Sequence, residues 1–180
     1  MSAALHSSLT APPAALIGLL DEMAAMLARL SDDEYVAPAP GRRSGSIGAH
    51  VRHCLDHVAS VLDAGATGRC CYDRRVRGTA IEQRRHDAAG RIAELSARLS
   101  TLDASKLHQP LDVEVQLDAR GSTAVVRSTL ARELAFVISH TIHHNATVAL
   151  MLLMRGVTPP RRLGMAYSTP ESAERQACAP

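Results

Sequence analysis

The feature that most constrains this chain is an apolar segment, residues 132–155, whose middle carries two histidines four residues apart. In an α-helix, residues at this spacing lie one turn apart on the same face, where two imidazoles can chelate one metal ion. His140 and His144 have this spacing. The segment is apolar nearly all round, which predicts a buried helix whose polar groups need partners.

A second group of three histidines lies far upstream, also with helical spacing. They are His50, His53 and His57. Six of the nine histidines fall within positions 50–57 and 140–144, so we expect the two groups to form one site. Spacing alone does not select a ligand among the upstream three. The alternative is that these are core or interface histidines bonded to backbone carbonyls.

The composition favours packed helices in a single domain. The chain has 180 residues, with one Phe, three Tyr and no Trp, so its core must be aliphatic. A formal charge of +2 is too small to indicate a nucleic-acid partner, and the lack of aromatic residues argues against base stacking. We expect one domain over residues 1–170 and a disordered tail over residues 171–180.

The chain shows no signal for a membrane or for secretion. No stretch reaches eighteen apolar residues, and the N-terminus lacks a basic region followed by an apolar run. The four cysteines have no CxxC spacing, which indicates reduced thiols and a cytoplasmic protein. Cys54 falls on an apolar stripe and is expected to be a small buried residue.

Periodicity and capping signals predict four helices and one hairpin. The helices are an amphipathic one of about 18 residues after Thr10, one over residues 47–64 capped by Ser46, one over residues 80–99 capped by Thr79, and one from Ser128 or Thr129 to Arg155. Alternation over residues 112–117 and 123–126 predicts a β-hairpin before the last helix. We therefore expect an all-α fold, an up-and-down four-helix bundle decorated by a small hairpin.

Three blocks of sequence are similar to a known family. They are Ser46-Ile47-Gly48-Ala49-His50-Val51-Arg52-His53-Cys54-Leu55-Asp56-His57, Tyr72-Asp73-Arg74-Arg75-Val76-Arg77-Gly78 and Ser139-His140-Thr141-Ile142-His143-His144. Together they resemble the DinB-like (YfiT-like) superfamily of small metal-binding four-helix bundles, over roughly residues 12 to 170. By position, the resemblance implies that His53, His140 and His144 bind a divalent metal ion, Zn²⁺, Ni²⁺ or Fe²⁺.

The resemblance also implies a class of reaction. Some members resemble metal-dependent transferases that use low-molecular-weight thiols, so a small-molecule substrate is expected, with a hydrolase as the other enzyme type. Relatives often carry an acidic residue where this chain has His57, which leaves a fourth ligand or a proton-transfer role open for it. His57 or His50 would move the proton as the catalytic base.

Two further hypotheses concern the surface. The basic loop with Asp73, Arg75 and Arg77 is a candidate for binding an anionic thiol cofactor through guanidinium groups, and a solvated loop with local ion pairs is the alternative. The rival to an enzyme is a non-catalytic protein with a structural metal or polar core. Such a protein would function by forming a dimer through its helix faces. In either case we expect a homodimer.

Overall fold

The computed structural model describes residues 11–39, 41, 45–74 and 78–167. This part of the chain forms six α-helices and three short strands. The helices are α1 (Ala11–Leu27), α2 (Asp32–Val36), α3 (Ile47–Thr67), α4 (Ala80–Gln83), α5 (Arg85–Ser100) and α6 (Leu130–Leu153); the strands are β1 (Arg69–Cys71), β2 (Pro110–Gln116) and β3 (Thr123–Thr129). The predicted Thr10 cap and the predicted disordered tail lie outside the described residues.

The four long helices surround one aliphatic core. Helix α1 packs against α5 and α6, and α3 packs against the same two helices. Each contributes leucines that are at most 1% exposed, among them Leu20, Leu55, Leu95 and Leu134. Burying one leucine contributes about 1.5–3 kcal/mol, so the core rather than helix propensity holds the helices together. The expectation of a mainly helical domain with a small β-decoration is confirmed.

Capping side chains fix where the two histidine-bearing helices begin. The Ser46 hydroxyl accepts a hydrogen bond from Ala49 N at 3.0 Å at the start of α3. The Thr129 hydroxyl accepts from Arg132 N at 3.3 Å at the start of α6. Both caps are among those expected from the sequence. Because α3 and α6 pack directly on each other, their registers decide which imidazoles meet.

The hairpin is present, and a third strand extends it. Strands β2 and β3 are antiparallel, with Val113 opposite Val126. Strand β1 pairs with β2 in parallel and was not expected, because three residues are too short to show an alternating pattern. It starts two residues after the end of α3 and leads the chain to Tyr72, beside the start of α6.

One predicted helix is divided in two, and one short helix was not predicted. The helix expected over residues 80–99 is broken at Arg84, whose backbone is extended at φ −131° and ψ 113°. The Thr79 hydroxyl makes no capping bond, and the Glu82 carboxylate accepts from Gly78 N and from the buried Arg52. Ser31 starts α2 through a capping box with Glu34, and this short helix was not among the four that were expected.

One helix among the described residues, α6, is long and apolar enough to cross a membrane, by length and composition alone. Core helices of globular proteins meet the same criteria, so length and composition are weak evidence. The buried face of α6 also carries Glu133, Thr141 and Asn145. The absence of a membrane span therefore stays a prediction.

The contact between α3 and the short helix α4 yields a test of the packing. A Cβ added to Gly48 would overlap the carbonyl oxygen of Glu82 and lie 2.9 Å from the ring of buried Tyr35. We expect Gly48→Ala to lower the free energy of unfolding by about 2 kcal/mol, as overpacking does. Urea denaturation followed by circular dichroism measures the change.

Gly90→Ala is the matched control, since Gly90 is also helical but has open space where the Cβ would lie. We expect this substitution to raise the free energy of unfolding by about 0.5–1 kcal/mol. If Gly48→Ala were as stable as Gly90→Ala, the described contact between α3 and Glu82 would be wrong.

Candidate metal centre

Five histidines from two helices meet between α3 and α6. Helix α3 contributes His50, His53 and His57, and α6 contributes His140 and His144. The ring of His53 lies 4.4, 4.9 and 4.5 Å from the rings of His57, His140 and His144, measured between centroids. The two histidine groups, far apart in sequence, are thus side by side in the fold.

The nitrogen atoms of three rings form the closest set of donors. His53, His57 and His140 each present a ring nitrogen, and these atoms all lie within 4.8 Å of one another. The Nε2 atoms of His53 and His140 are 2.9 Å apart. Imidazoles bind zinc at about 2.0–2.1 Å, which in a tetrahedral site separates their nitrogens by about 3.3 Å. The donor set therefore fits a divalent metal ion with small ring movements.

The hydrogen bond made by His57 sets its tautomer. Its Nδ1 lies 2.9 Å from the backbone carbonyl oxygen of His53, which can only accept, so Nδ1 carries the hydrogen. In the neutral ring, Nε2 then carries the lone pair with which an imidazole binds a metal ion. A ligand histidine typically donates its second ring nitrogen to a carbonyl in this way. His57, expected to carry a proton or to be a fourth ligand, is therefore oriented for either role.

His144 and His50 form a pair at the edge of the cluster. Their Nδ1 atoms are 2.9 Å apart, so one donates a hydrogen bond and the other accepts it. Burial, with the nearby His140 and His50 adding to the effect, lowers the pKa of His144 to about 4. At neutral pH His144 is therefore uncharged, which is the form that binds a metal ion.

Tyr72 and Phe136 close one side of the cluster with aromatic rings. Tyr72 stacks on His57 at 4.8 Å with an interplanar angle of 7°, and Phe136 stacks on His140 at 5.6 Å. The Tyr72 hydroxyl donates to Glu133 at 2.9 Å. Burial raises the pKa of this hydroxyl, and Cys70 and Glu133 add to the rise, so Tyr72 stays protonated as the donor.

The Glu133 carboxylate contacts the aromatic residue Tyr72 and not one of the imidazoles, in the hydrogen bonds described. It is 1% exposed, and its carboxylate accepts hydrogen bonds from Tyr72, Ser128 and Arg132. Its link to the histidines runs through Tyr72, whose hydroxyl donates to Glu133 and whose ring stacks on His57. Sequence reasoning did not single out Tyr72, because ring stacking between distant elements leaves no spacing pattern.

The other candidate residues lie apart from this set or outside the described chain. The Asp73 carboxylate accepts a hydrogen bond from Gln116 N at 3.1 Å, which joins the loop to the hairpin. Arg75 and Arg77 lie outside the described residues, so their role stays a prediction. His143 is exposed. Cys54 is 1% exposed, and burial raises the pKa of its thiol to about 12, which confirms a packing role.

The lowered pKa of His144 predicts how stability changes with pH. An unfolded chain protonates this histidine near pH 6.5, whereas the folded chain does so only near pH 4. Between these values the unfolded state binds more protons, so the metal-free protein should lose stability as the pH falls from 6.5 to 4. Because His144 is only half-buried, its share should stay below about 1.4 kcal/mol per pH unit.

Urea denaturation in chelator at several pH values tests this dependence. We expect His144→Gln to flatten the fall in stability, and His86→Gln, at a side chain that is 99% exposed, to leave it unchanged. An equal slope in the wild-type chain and in His144→Gln would contradict the lowered pKa.

Comparisons with known proteins agree with this architecture. The crystal structure of a DinB-like protein, YjoA from Bacillus subtilis, is similar with a TM-score of 0.55 at 18% identity, covering 84% of this chain and 94% of that one. A curated protein, FK506-binding protein 5 of Rhizopus delemar, is 29% identical over 106 residues, which are 58% of this chain. This chain spans only 28% of the length of that relative. The family model of the DinB superfamily matches residues 15–148, and the chain therefore belongs to that superfamily.

Proposed function

We propose that this chain binds one divalent metal ion through His53, His140 and His144, with His57 as an additional donor at the same centre. The observation that carries the proposal is the convergence of imidazole nitrogens from α3 and α6. The ring nitrogens of His53, His57 and His140 lie within 4.8 Å of one another. We also propose that the four long helices form an up-and-down bundle around this centre, as the pairwise packing of α1, α3, α5 and α6 supports.

The nature of the donors supports Zn²⁺, Ni²⁺ or Fe²⁺. Neutral imidazole is a good ligand for all three ions, whereas Ca²⁺ and Mg²⁺ prefer oxygen donors. In the described structure these imidazoles pair with one another and with a backbone carbonyl, and a divalent cation would accept the lone pairs of several of them at once. Membership of the DinB superfamily supports the same conclusion.

The proposed activity is that of a metalloenzyme, a thiol-dependent transferase or a hydrolase acting on a small molecule. A divalent ion bound here would bring the pKa of a coordinated thiol or water close to neutral pH. His57 would position the centre through its bond to the backbone of α3. With Nε2 of His144 facing the metal, its Nδ1 would donate to Nδ1 of His50, and His50 would take up a substrate proton at Nδ1 when that hydrogen bond opens.

A second candidate function is a non-catalytic dimer with a structural metal. Three large apolar side chains are exposed near the end of α6: Leu150, Leu153 and Met154, at 61%, 56% and 64%. Apolar side chains grouped on one helix end favour association with a second copy. In that case the metal ion would stabilise the folded protein and would have no catalytic role.

Metal analysis of single variants tests the ligand set. Zinc-loaded protein, after dialysis, should hold about one ion per chain. We expect His53→Ala, His140→Ala and His144→Ala to weaken zinc binding at least tenfold in a chelator competition, and His57→Ala to weaken it less. His86→Ala, which changes an exposed histidine, is the control.

Two outcomes of that experiment would change the proposal. If His57→Ala lost zinc and His144→Ala retained it, the ligands would be His53, His57 and His140, the set with the closest nitrogens. If no variant changed the zinc content, the metal centre would be refuted.

Thermal melts with and without chelator separate the enzyme from the structural dimer. A catalytic centre predicts a small loss of melting temperature in chelator, together with thiol-transfer or hydrolytic activity that His140→Ala abolishes. A structural centre predicts a large loss, no activity, and a dimer mass by light scattering that Leu153→Glu converts to a monomer mass. Activity in a chelator-treated sample would contradict the proposed role of the metal.

A further inference from the structure

A cavity of about 610 Å³ lies between the hairpin and the first turns of α6. Three valines of the hairpin, Val113, Val115 and Val126, form one wall, and Tyr72 and Phe136 form another. The volume is in the range of sites that enclose small organic molecules, about 300–1,000 Å³. Of the residues that the structure describes, none of the five clustered histidines lines this cavity, so it is separate from the metal centre.

The alternation of side chains along the hairpin makes the sheet wall of the cavity apolar. Val113 lies opposite Val126 in the register of β2 and β3, so both side chains project from the same face of the sheet. Arg127, the next residue of β3, projects from the opposite face, where its guanidinium pairs with Asp112 at 3.0 Å. Its charge therefore lies outside the cavity, and the sheet presents mainly methyl groups to the interior.

The ion pair at the start of α6 leaves this end of the cavity without net charge. The Nη1 atom of Arg132 lies 2.8 Å from the Glu133 carboxylate, which also accepts hydrogen bonds from Tyr72 and Ser128. A charged ligand would give up its hydration here without meeting an unpaired opposite charge among the described lining residues, and that transfer costs free energy. The lining therefore favours an uncharged ligand.

Exposed apolar surface inside the cavity supplies a driving force for binding. Val126 is 51% exposed, although its partner across the hairpin, Val113, is 4% exposed. A ligand that covers Val126 removes its methyl groups from water, and the free energy gained grows with the apolar area that is covered. An apolar ligand is therefore favoured over a polar one.

Two aromatic rings favour a planar ligand. The ring centroids of Tyr72 and Phe136 lie 5.2 Å apart at an interplanar angle of 48°. Each ring also stacks on an imidazole of the cluster, Tyr72 on His57 and Phe136 on His140, so both rings are held in place from the side of the metal centre. Aromatic rings pack against one another in offset or edge-to-face geometry. An aromatic body therefore complements this wall.

We propose that this cavity binds a small uncharged aromatic molecule, which packs between the valines of the hairpin and the rings of Tyr72 and Phe136. Apolar contact and shape, not charge, select the ligand. This binding site is additional to the metal centre, and its occupation needs no metal ion.

The probe is 1-anilinonaphthalene, a neutral dye that fluoresces in apolar surroundings, and its matched control is the anionic 1-anilino-8-naphthalenesulfonate. Metal-free or zinc-loaded protein is titrated into a fixed low concentration of each dye. We expect the neutral dye to bind both forms equally, with a dissociation constant below about 100 μM. The sulfonate should bind about tenfold more weakly, because no unpaired positive group replaces its hydration. Arg127→Gln, at a side chain that faces away from the cavity, should change neither affinity.

Tryptophan variants of the hairpin test the location. Val126→Trp and Val115→Trp fill the cavity, and each should weaken binding of the neutral dye by about tenfold or more. Val125→Trp changes the opposite face of β3 and should bind normally. Leu153→Glu, which removes an exposed apolar side chain at the other end of α6, should also bind normally. Circular dichroism checks that each variant is folded, and if one cavity variant misfolds, the other decides.

Three results would overturn the proposal. They are a sulfonate affinity equal to or greater than that of the neutral dye, a dissociation constant above about 100 μM, and equal affinity in both cavity variants and in Val125→Trp. Loss of binding in Leu153→Glu would place the dye at the end of α6 instead. Binding that requires zinc would contradict the independence of this site from the metal centre. A chain that binds the dye but no zinc would refute the proposed function and leave the cavity site in place.

Discussion

The contact between α3 and α6 is the constraint on which the rest of this structure depends. Two helices that pack closely normally bury aliphatic side chains, but here five imidazoles occupy one part of their interface. Buried ring nitrogens need hydrogen-bond partners, and in this region other imidazoles and a backbone carbonyl provide them. Such a cluster is costly when charged, which is why the pKa of His144 is lowered.

The small sheet has a specific role in this arrangement. It follows α3 directly through β1 and leads directly into α6 through β3, so it joins the two histidine-bearing helices at one end. In doing so it places Tyr72 against His57 and encloses the cavity that Phe136 lines. Glu133 ties Tyr72, Ser128 and Arg132 together at this junction. The sheet is therefore part of the surroundings of the site, although it was expected only as a decoration.

The residues that share a helix face could be predicted from the sequence, because helix periodicity and capping depend on neighbouring residues. Each of these signals spans only a few residues of sequence. They are the i, i+4 spacing of His140 and His144, the caps Ser46 and Thr129, and the alternation in the hairpin. The stacking of Tyr72 on His57 and the break at Arg84 could not be predicted, because both depend on packing between distant segments. For the same reason, spacing alone does not decide between His57 and His144 as a ligand, since that choice depends on side-chain rotamers at the interface of α3 and α6.

The central claim is that imidazoles from α3 and α6 share one cation, and anomalous diffraction from zinc-loaded crystals tests it most directly. The predicted result is a single peak at the zinc edge, about 2.0–2.1 Å from the Nε2 atoms of His53 and His140, with a third imidazole in contact. A crystal of zinc-loaded protein with no peak between these helices, and with the same rings paired to one another at hydrogen-bond distance, would contradict it.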